Sequence, residues 1–240
     1  MRFLILAVIV GLTIAGPAFS QSDADWVMCT DVNNPPAAER NIAACDRVLA
    51  GRRMTTRDRA AAFGNRCALW DMRGDSDRAL ADCNQSIGLR PRLALPYVNR
   101  GNIWYAKGDT ARAIADYSEA IRLDPKFALA YTNRGNALRD KGDYDRAVAD
   151  YNAAIAANSK FGGGYVSRGN VLLMKQQYDR AIDDFSSAIR IDPTDAFAYT
   201  SRGTAQRAKG NLSQANVDFN TAALSTGPIA AGRAPWPIRN

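Results

Sequence analysis

The chain has 240 residues, 47% of them hydrophobic and 23% charged, which is enough for one sizeable domain or for an extended array of repeats. It contains no histidine, which excludes Ser-His-Asp and Cys-His catalytic arrangements and histidine-ligated metal sites. The formal charge is +7, but arginines alternate with aspartates and no long run of like charges occurs, so a solvated mixed-charge surface is favoured over a nucleic-acid-binding surface.

Residues 1–20 have the layout of a secretory signal peptide. Arg2 supplies a positive charge, residues 3–15 are mostly apolar, and small residues precede the bond that follows Ser20. The apolar run is shorter than the 20 or so residues that a membrane span requires, which favours cleavage over an uncleaved anchor helix. We therefore expect a mature chain that begins at Gln21, has no transmembrane anchor and is periplasmic or secreted.

The four cysteines form two equally spaced pairs. Cys29 and Cys45 are sixteen positions apart, as are Cys67 and Cys83. Behind an export signal, an even number of cysteines with this spacing predicts two disulfides, Cys29–Cys45 and Cys67–Cys83. The alternative is four buried free thiols. A thiol–disulfide redox site is not expected, because the sequence has no Cys-x-x-Cys.

The chain from about residue 60 to residue 227 repeats with a period of 34 residues. One column of the repeat is glycine, at Gly101, Gly135, Gly169 and Gly203. A second column is alanine, at Ala79, Ala113, Ala147, Ala181 and Ala215. Four residues after each alanine stands a cysteine or an aromatic residue, at Cys83, Tyr117, Tyr151, Phe185 and Phe219. A register kept over five units indicates an array of repeats.

The pattern resembles the tetratricopeptide repeat, a 34-residue helix–turn–helix unit with an aromatic residue at place 4, Gly at place 8, Ala at place 20 and an aromatic residue at place 24. With Ala94 as place 1, the unit matches at Tyr97, Gly101, Trp104, Ala113, Tyr117, Ala120 and Pro125. Five units therefore span 60–227, and they begin at Ala60, Ala94, Ala128, Gly162 and Ala196. We interpret residues 21–59, with a helix-like stretch over 39–49, as a degenerate N-terminal repeat.

Gly108-Asp109 and Gly142-Asp143 each combine a helix stop with a helix N-cap, so each unit should contain two antiparallel helices. One such hairpin cannot bury its apolar face alone, whereas stacked units share a core. The resemblance implies an all-α fold, a right-handed superhelical solenoid of helix–turn–helix units. Residues 228–240 contain Pro and Gly and should form an irregular tail. No polar capping helix is recognisable before this tail.

Two further features of the repeats carry predictions. Place 7, usually leucine in the family, is arginine in every unit: Arg66, Arg100, Arg134, Arg168 and Arg202. Either these arginines form a functional ladder, or their stems pack between units while the guanidinium groups reach neighbouring carboxylates. The glycines at 162–164 are expected to connect two units, since the features of a phosphate-binding loop are missing.

The resemblance also implies where a partner binds, because the first helix of each tetratricopeptide unit lines a concave groove. The family's contact places correspond here to Asn99, Asn102, Tyr105, Asn133, Asn136, Arg139, Asn170 and Arg207. Asparagine amides can bind a peptide backbone, and arginines can bind a carboxylate. The alternative is that the asparagines brace neighbouring units through hydrogen bonds between helices.

We therefore predict a non-enzymatic interaction scaffold or adaptor of the cell envelope, which binds a peptide segment or helix of another envelope or secreted protein. No cofactor, metal or nucleic acid is predicted. One alternative is a structural protein that forms homo-oligomers through its uncapped C-terminal end. Another is a cell-wall carbohydrate-binding or enzymatic module, against which the missing histidines and the lack of paired carboxylates count.

Overall fold

A computed structural model describes residues 21–32, 34–51 and 54–225. The predicted leader (1–20) and C-terminal tail (228–240) lie outside these ranges. Within the described residues the chain forms α-helices and one short 3-10 helix, and no strand. The prediction of an all-α fold is confirmed. No helix in the described ranges combines the length and the apolar character that crossing a membrane requires.

The helices follow one another with short connections. They are α1 (Gln21–Thr30), α2 (Ala38–Ala50), α3 (Thr56–Met72), α4 (Ser76–Leu89), α5 (Ala94–Ala106), α6 (Thr110–Leu123), α7 (Ala128–Asp140), α8 (Tyr144–Ala157), α9 (Gly162–Met174), α10 (Tyr178–Ile191), α11 (Ala196–Lys209) and α12 (Leu212–Ser225). The 3-10 helix, Pro35–Ala37, precedes α2. The helices pack as consecutive pairs, α1 with α2 through α11 with α12, and each pair packs on the next.

The first helices of the pairs form the inner layer of the array. Successive first helices, such as α3 and α5 or α7 and α9, contact one another, whereas successive second helices do not pack together to the same extent. Because the first helices lie closer together than the second helices, the array curves toward them. We call the surface made by α3, α5, α7, α9 and α11 the concave face.

The turn inside each pair is set by local sequence. Asp109 and Asp143 cap the second helices, and each side chain accepts a hydrogen bond from the backbone N–H three residues further on. The glycines that precede them, Gly108 and Gly142, have φ angles of 81° and 79°, which side chains rarely tolerate. The predicted helix stop and N-cap are confirmed at both turns.

A glycine–ring contact sets the spacing of the two helices in four of the units. A Cβ atom at the place-8 glycine would lie 2.6–2.8 Å from the ring of the place-24 residue, closer than real Cβ atoms approach. The contacts are Gly101–Tyr117, Gly135–Tyr151, Gly169–Phe185 and Gly203–Phe219. These glycines are therefore required for close packing of the helices rather than for backbone freedom.

Disulfides replace that contact in the two N-terminal pairs. Cys67 and Cys83 occupy places 8 and 24, and their Cα atoms are 5.3 Å apart. Cys29 in α1 and Cys45 in α2 have a Cα–Cα distance of 4.7 Å. All four cysteines are buried. The structure thus joins them in the two pairs given by their spacing, and each bond links the two helices of one pair.

The prediction that residues 162–164 connect two units is wrong. These glycines form the first turn of α9. A Cβ atom at Gly164 would lie 3.1 Å from Cγ1 of Ile155 in α8, so the neighbouring unit packs closely against the glycine backbone. Packing between units therefore outweighs the low helix propensity of glycine at this point.

Candidate interaction groove

The place-7 arginines form ion pairs with buried aspartates at place 23 of their own units. In the unit that begins at Ala128, Arg134 donates from Nε and Nη2 to the two carboxylate oxygens of Asp150, at 2.8 and 2.7 Å. The equivalent pairs are Arg66–Asp82, Arg100–Asp116, Arg168–Asp184 and Arg202–Asp218. The hydrogen bond to Asp150 raises the pKa of Arg134. The five aspartates are also spaced by 34 residues in the sequence, but they were not singled out in the sequence analysis as partners of the arginines.

The remaining nitrogen of each guanidinium group reaches the preceding unit. Arg134 Nη1 donates to Oγ of Ser118 in α6, at 3.0 Å. The equivalent acceptors are Asp46, Asn84, Asn152 and Ser186. Each guanidinium group also lies over the place-4 ring of its own helix, as Arg134 does over Tyr131 at 5.9 Å. The arginine column therefore braces the array, since every nitrogen of each guanidinium group makes a hydrogen bond within the protein.

Three of the asparagines assigned to the groove also brace the array. The hydroxyl of Tyr117 donates to Oδ1 of Asn102 at 2.9 Å, and the Nδ2 group of Asn133 in the next unit donates to the same oxygen at 2.8 Å. Tyr151 donates to Oδ1 of Asn136 in the same way, at 2.9 Å. Burial raises the pKa of both tyrosines, so each hydroxyl stays protonated and needs an acceptor.

Asn99 and Asn170 differ from these three residues. The unit that begins at Gly162 has Phe185 at place 24, where the two preceding units have tyrosine. Asn170 therefore has no tyrosine hydroxyl group from which to accept a hydrogen bond. Across the described ranges, neither the Asn99 nor the Asn170 side chain makes a hydrogen bond to the protein. Both residues are half-buried on first helices. Their amide groups are therefore open to a ligand.

The two arginines assigned to the groove are also unequal. Arg139 Nε donates to Oδ1 of Asp140 at 2.9 Å, and the hydroxyl of Tyr105 donates to the other oxygen of that carboxylate. Burial raises the pKa of Tyr105 to about 12. Arg207 has no carboxylate partner in the described part of the chain, and its guanidinium group lies 5.5 Å from the centroid of the Phe219 ring. Only Arg207 of the two is unpaired.

Apolar side chains are exposed on the same first helices as these polar groups. Leu95, Leu129 and Phe197 stand at place 2 of their units, and Met72 and Met174 stand at place 13. Exposed apolar side chains that gather on one surface mark binding sites more often than scattered ones do. The concave face thus combines free amides, one free guanidinium group and apolar contacts. Among the residues described, no three His, Cys, Asp or Glu side chains gather as they would around a metal ion.

Paired helices repeated along a curved array define the chain as a helical-repeat solenoid. Two family models, described as "TPR repeat" and "Tetratricopeptide repeat", match residues 101–138 and 132–196. The chain is a tetratricopeptide repeat protein.

Solved structures of tetratricopeptide proteins have the same fold. MamA, known from a crystal structure, shares 25% sequence identity with this chain at a TM-score of 0.59. The match covers 68% of this chain and 96% of MamA. YrrB, described as a TPR protein with an unusual peptide-binding site, is 19% identical with a TM-score of 0.55 and coverage of 78% and 94%. A tetratricopeptide repeat protein from Parabacteroides merdae is 17% identical with a TM-score of 0.65 and coverage of 87% and 81%. No curated protein sequence matches significantly.

Proposed function

We propose that the chain is a non-enzymatic interaction scaffold that binds a peptide segment or a helix of a partner protein on its concave face. One observation carries the proposal: Asn99, Asn170 and Arg207 have no polar partner in the described array, and they share this face with exposed Leu95 and Phe197. An amide can donate to and accept from a peptide backbone, and a guanidinium group can bind a carboxylate. The peptide-binding site described for YrrB supports the same use of the fold.

The proposal places the mature protein, residues 21–240, in the cell envelope or outside the cell. The signal-like leader at 1–20 supports this location, and so does the pairing of all four cysteines in the described chain. The intact mass of the exported protein should correspond to a chain that begins at Gln21. A chain that keeps Met1 in a membrane fraction would contradict this part of the proposal.

A photo-crosslinking experiment tests the groove. A photoreactive amino acid is placed at residue 99 or 170, and as a control at residue 183, which is exposed on the second helix α10. We expect a partner from the envelope fraction to crosslink from the first two positions and not from residue 183. A synthetic peptide with the sequence of the crosslinked segment should compete. Equal crosslinking from residue 183, or no competition, would refute the groove as the binding surface.

A second candidate function, self-association at the C-terminal end, is supported by α12. Val217 and Leu224 are 64% and 83% exposed on this helix. The corresponding residues of the preceding unit are Asp183 and Arg190. Sedimentation equilibrium of the mature chain should then show a mass that rises with concentration, and the double variant Val217→Asp/Leu224→Arg should stay monomeric. A wild-type chain that is monomeric at high concentration would exclude this function.

A further inference from the structure

Asp71 is the exception among the aspartates of the array. It lies in the last turn of α3, at place 12, and is half-buried. All other aspartates that are buried or half-buried in the described ranges accept hydrogen bonds, either from arginine side chains or from groups in their own helix caps. The carboxylate of Asp71 accepts none in the same part of the chain.

The surroundings of Asp71 disfavour its charge. Burial raises the pKa of its carboxyl group, and among the described residues no cation offsets this effect. The residue also stands at the C-terminal end of α3, where the helix dipole disfavours a negative charge. The charge also acts on the next unit, because Asp71 adds to the effect of burial in raising the pKa of the Tyr117 hydroxyl in α6. The described part of the array therefore contains no group that stabilises a carboxylate at this position.

The repeat explains why Asp71 has no partner. One unit further on, the place-12 residue Tyr105 binds Asp140, which stands at place 13 of the unit after it. For Asp71, the residue at place 13 of the following unit is Ala106, which has no polar side-chain group. The hydroxyl of Tyr105 is already directed to Asp140. At this place the neighbouring unit thus offers Asp71 neither a donor nor a cation.

Unpaired charges of opposite sign therefore stand at the two ends of the concave face. Asp71 lies in the first of the five units and Arg207 in the last, both at place 12. At place 12 of the units between them, the charged residue is Arg139, which is paired with Asp140. A cation on a bound segment is attracted to the Asp71 end and repelled from the Arg207 end.

We propose that the concave face binds an extended peptide that carries a lysine or arginine side chain, and that this side chain pairs with Asp71. The inference rests on the proposed function and adds the chemistry of the partner. An ammonium or guanidinium group would supply the charge-assisted hydrogen bonds that Asp71 lacks. Since the carboxylate is already partly removed from water in the free protein, much of its desolvation cost is met before the peptide arrives.

Peptide display tests the inference. Random peptides displayed on phage are selected on the mature protein, residues 21–240, and on its Asp71→Lys variant. The control is an Asp183→Lys variant, which has the same charge change on the second helix α10. Peptides selected on the wild type and on the control should share a Lys or Arg at one position. The Asp71→Lys variant should select Asp or Glu there. A synthetic peptide from the wild-type selection should lose affinity about tenfold or more on Asp71→Asn.

The outcomes separate this inference from the proposed function. Circular dichroism and melting curves should show that Asp71→Asn folds at least as well as the wild type, so that lost affinity reports the missing charge. Suppose the selected peptides bind, and Asn170→Ala weakens them, but no charge preference depends on residue 71. The groove then stands and the pairing with Asp71 is refuted. If no peptide is selected at all, the proposed function and the pairing fail together.

Discussion

The ring of Tyr117 occupies the space that a side chain at Gly101 would need, so that a Cβ atom there would lie 2.6 Å from Cε1 of the ring. Because the tyrosine is buried and held by its hydroxyl bond to Asn102, it cannot move aside. We expect Gly101→Ala to lower the free energy of unfolding by about 1–3 kcal/mol through overpacking. Urea denaturation measures this change.

Gly88 is the matched control. It lies in α4, and no atom lies within 4 Å of the position that a Cβ would take. Gly88→Ala should raise the free energy of unfolding, by up to about 1 kcal/mol, because alanine is the better helix former. Equal losses in the two variants would show that the contact with Tyr117 does not set the helix spacing.

The Cys67–Cys83 bond should stabilise the array by about 3 kcal/mol, as expected for a closed loop of this length. The variant Cys67→Ser/Cys83→Ser should lose this amount, and hydrogen exchange should rise first in α3 and α4, because a repeat array is coupled mainly between neighbours. The variant Cys67→Gly/Cys83→Tyr installs the pair that later units use at the same places. It should recover part of the loss.

Peptide mapping without reduction checks the pairing itself. It should find the Cys29–Cys45 and Cys67–Cys83 peptides. A Cys45–Cys67 peptide would contradict the arrangement of the N-terminal helices. Free thiols at all four positions in the exported protein would contradict the oxidised state.

Arg134→Ala should cost about 3–5 kcal/mol, because it leaves the buried carboxylate of Asp150 without its partner. The control is Arg122→Ala, which removes an ion pair with Glu119 between neighbouring turns of one exposed helix face. Solvent screens that pair, so the denaturation midpoint should stay unchanged. If both variants unfold at the wild-type urea concentration, the arginine column is not what braces the units.

Asn136 and Asn170 stand at the same place in consecutive units and should respond differently to mutation. Asn136→Ala leaves the hydroxyl of Tyr151 without its acceptor, which should cost about 1–3 kcal/mol of stability. Asn170→Ala breaks no bond in the described array and should affect only affinity for the crosslinked partner. Phe185→Tyr should reverse the difference at Asn170, adding about 1 kcal/mol of stability and weakening binding. Loss of stability in Asn170→Ala would contradict this division.

Asp71 and Asp145 should give stability effects of opposite sign. Burial raises the pKa of Asp71 in the folded chain, so its ionisation opposes folding as pH rises above the usual carboxyl pKa of about 3.9. Asp71→Asn should therefore melt above the wild type at pH 7 and at the same temperature at pH 3. Lys175 lowers the pKa of Asp145, so this carboxylate stabilises the fold at pH 7 and loses its contribution as pH falls. Asp145→Asn should melt at or below the wild type at pH 7.

The architecture could be predicted from sequence because its determinants recur every 34 residues. Gly101 and Tyr117, with their counterparts, mark both helices of each unit and their close contact. The use of individual groove residues could not be predicted so well, because it depends on pairs of places on different helices. Asn136 is occupied and Asn170 is free only because place 24 changes from Tyr151 to Phe185.

Asp71 illustrates the same limit. Its place is visible in the sequence, but its isolation depends on a missing donor at Ala106 in the next unit. The prediction that residues 162–164 connect two units was wrong for a related reason. Their composition favours a loop, whereas in the structure they begin α9, and Gly164 packs closely on Ile155 of the preceding unit. In both cases contacts between units decide the outcome, and a single unit does not contain them.

Each place-7 arginine makes two bonds inside its own unit and one to the unit before, as Arg134 does with Asp150 and Ser118. A 34-residue segment therefore carries one complete set of interface groups, ready to meet a copy of itself. Gene duplication or loss of whole units can lengthen or shorten such an array without inventing a new interface. The length of the groove, and with it the length of segment it can hold, is then free to change in steps while every junction keeps its arginine contact.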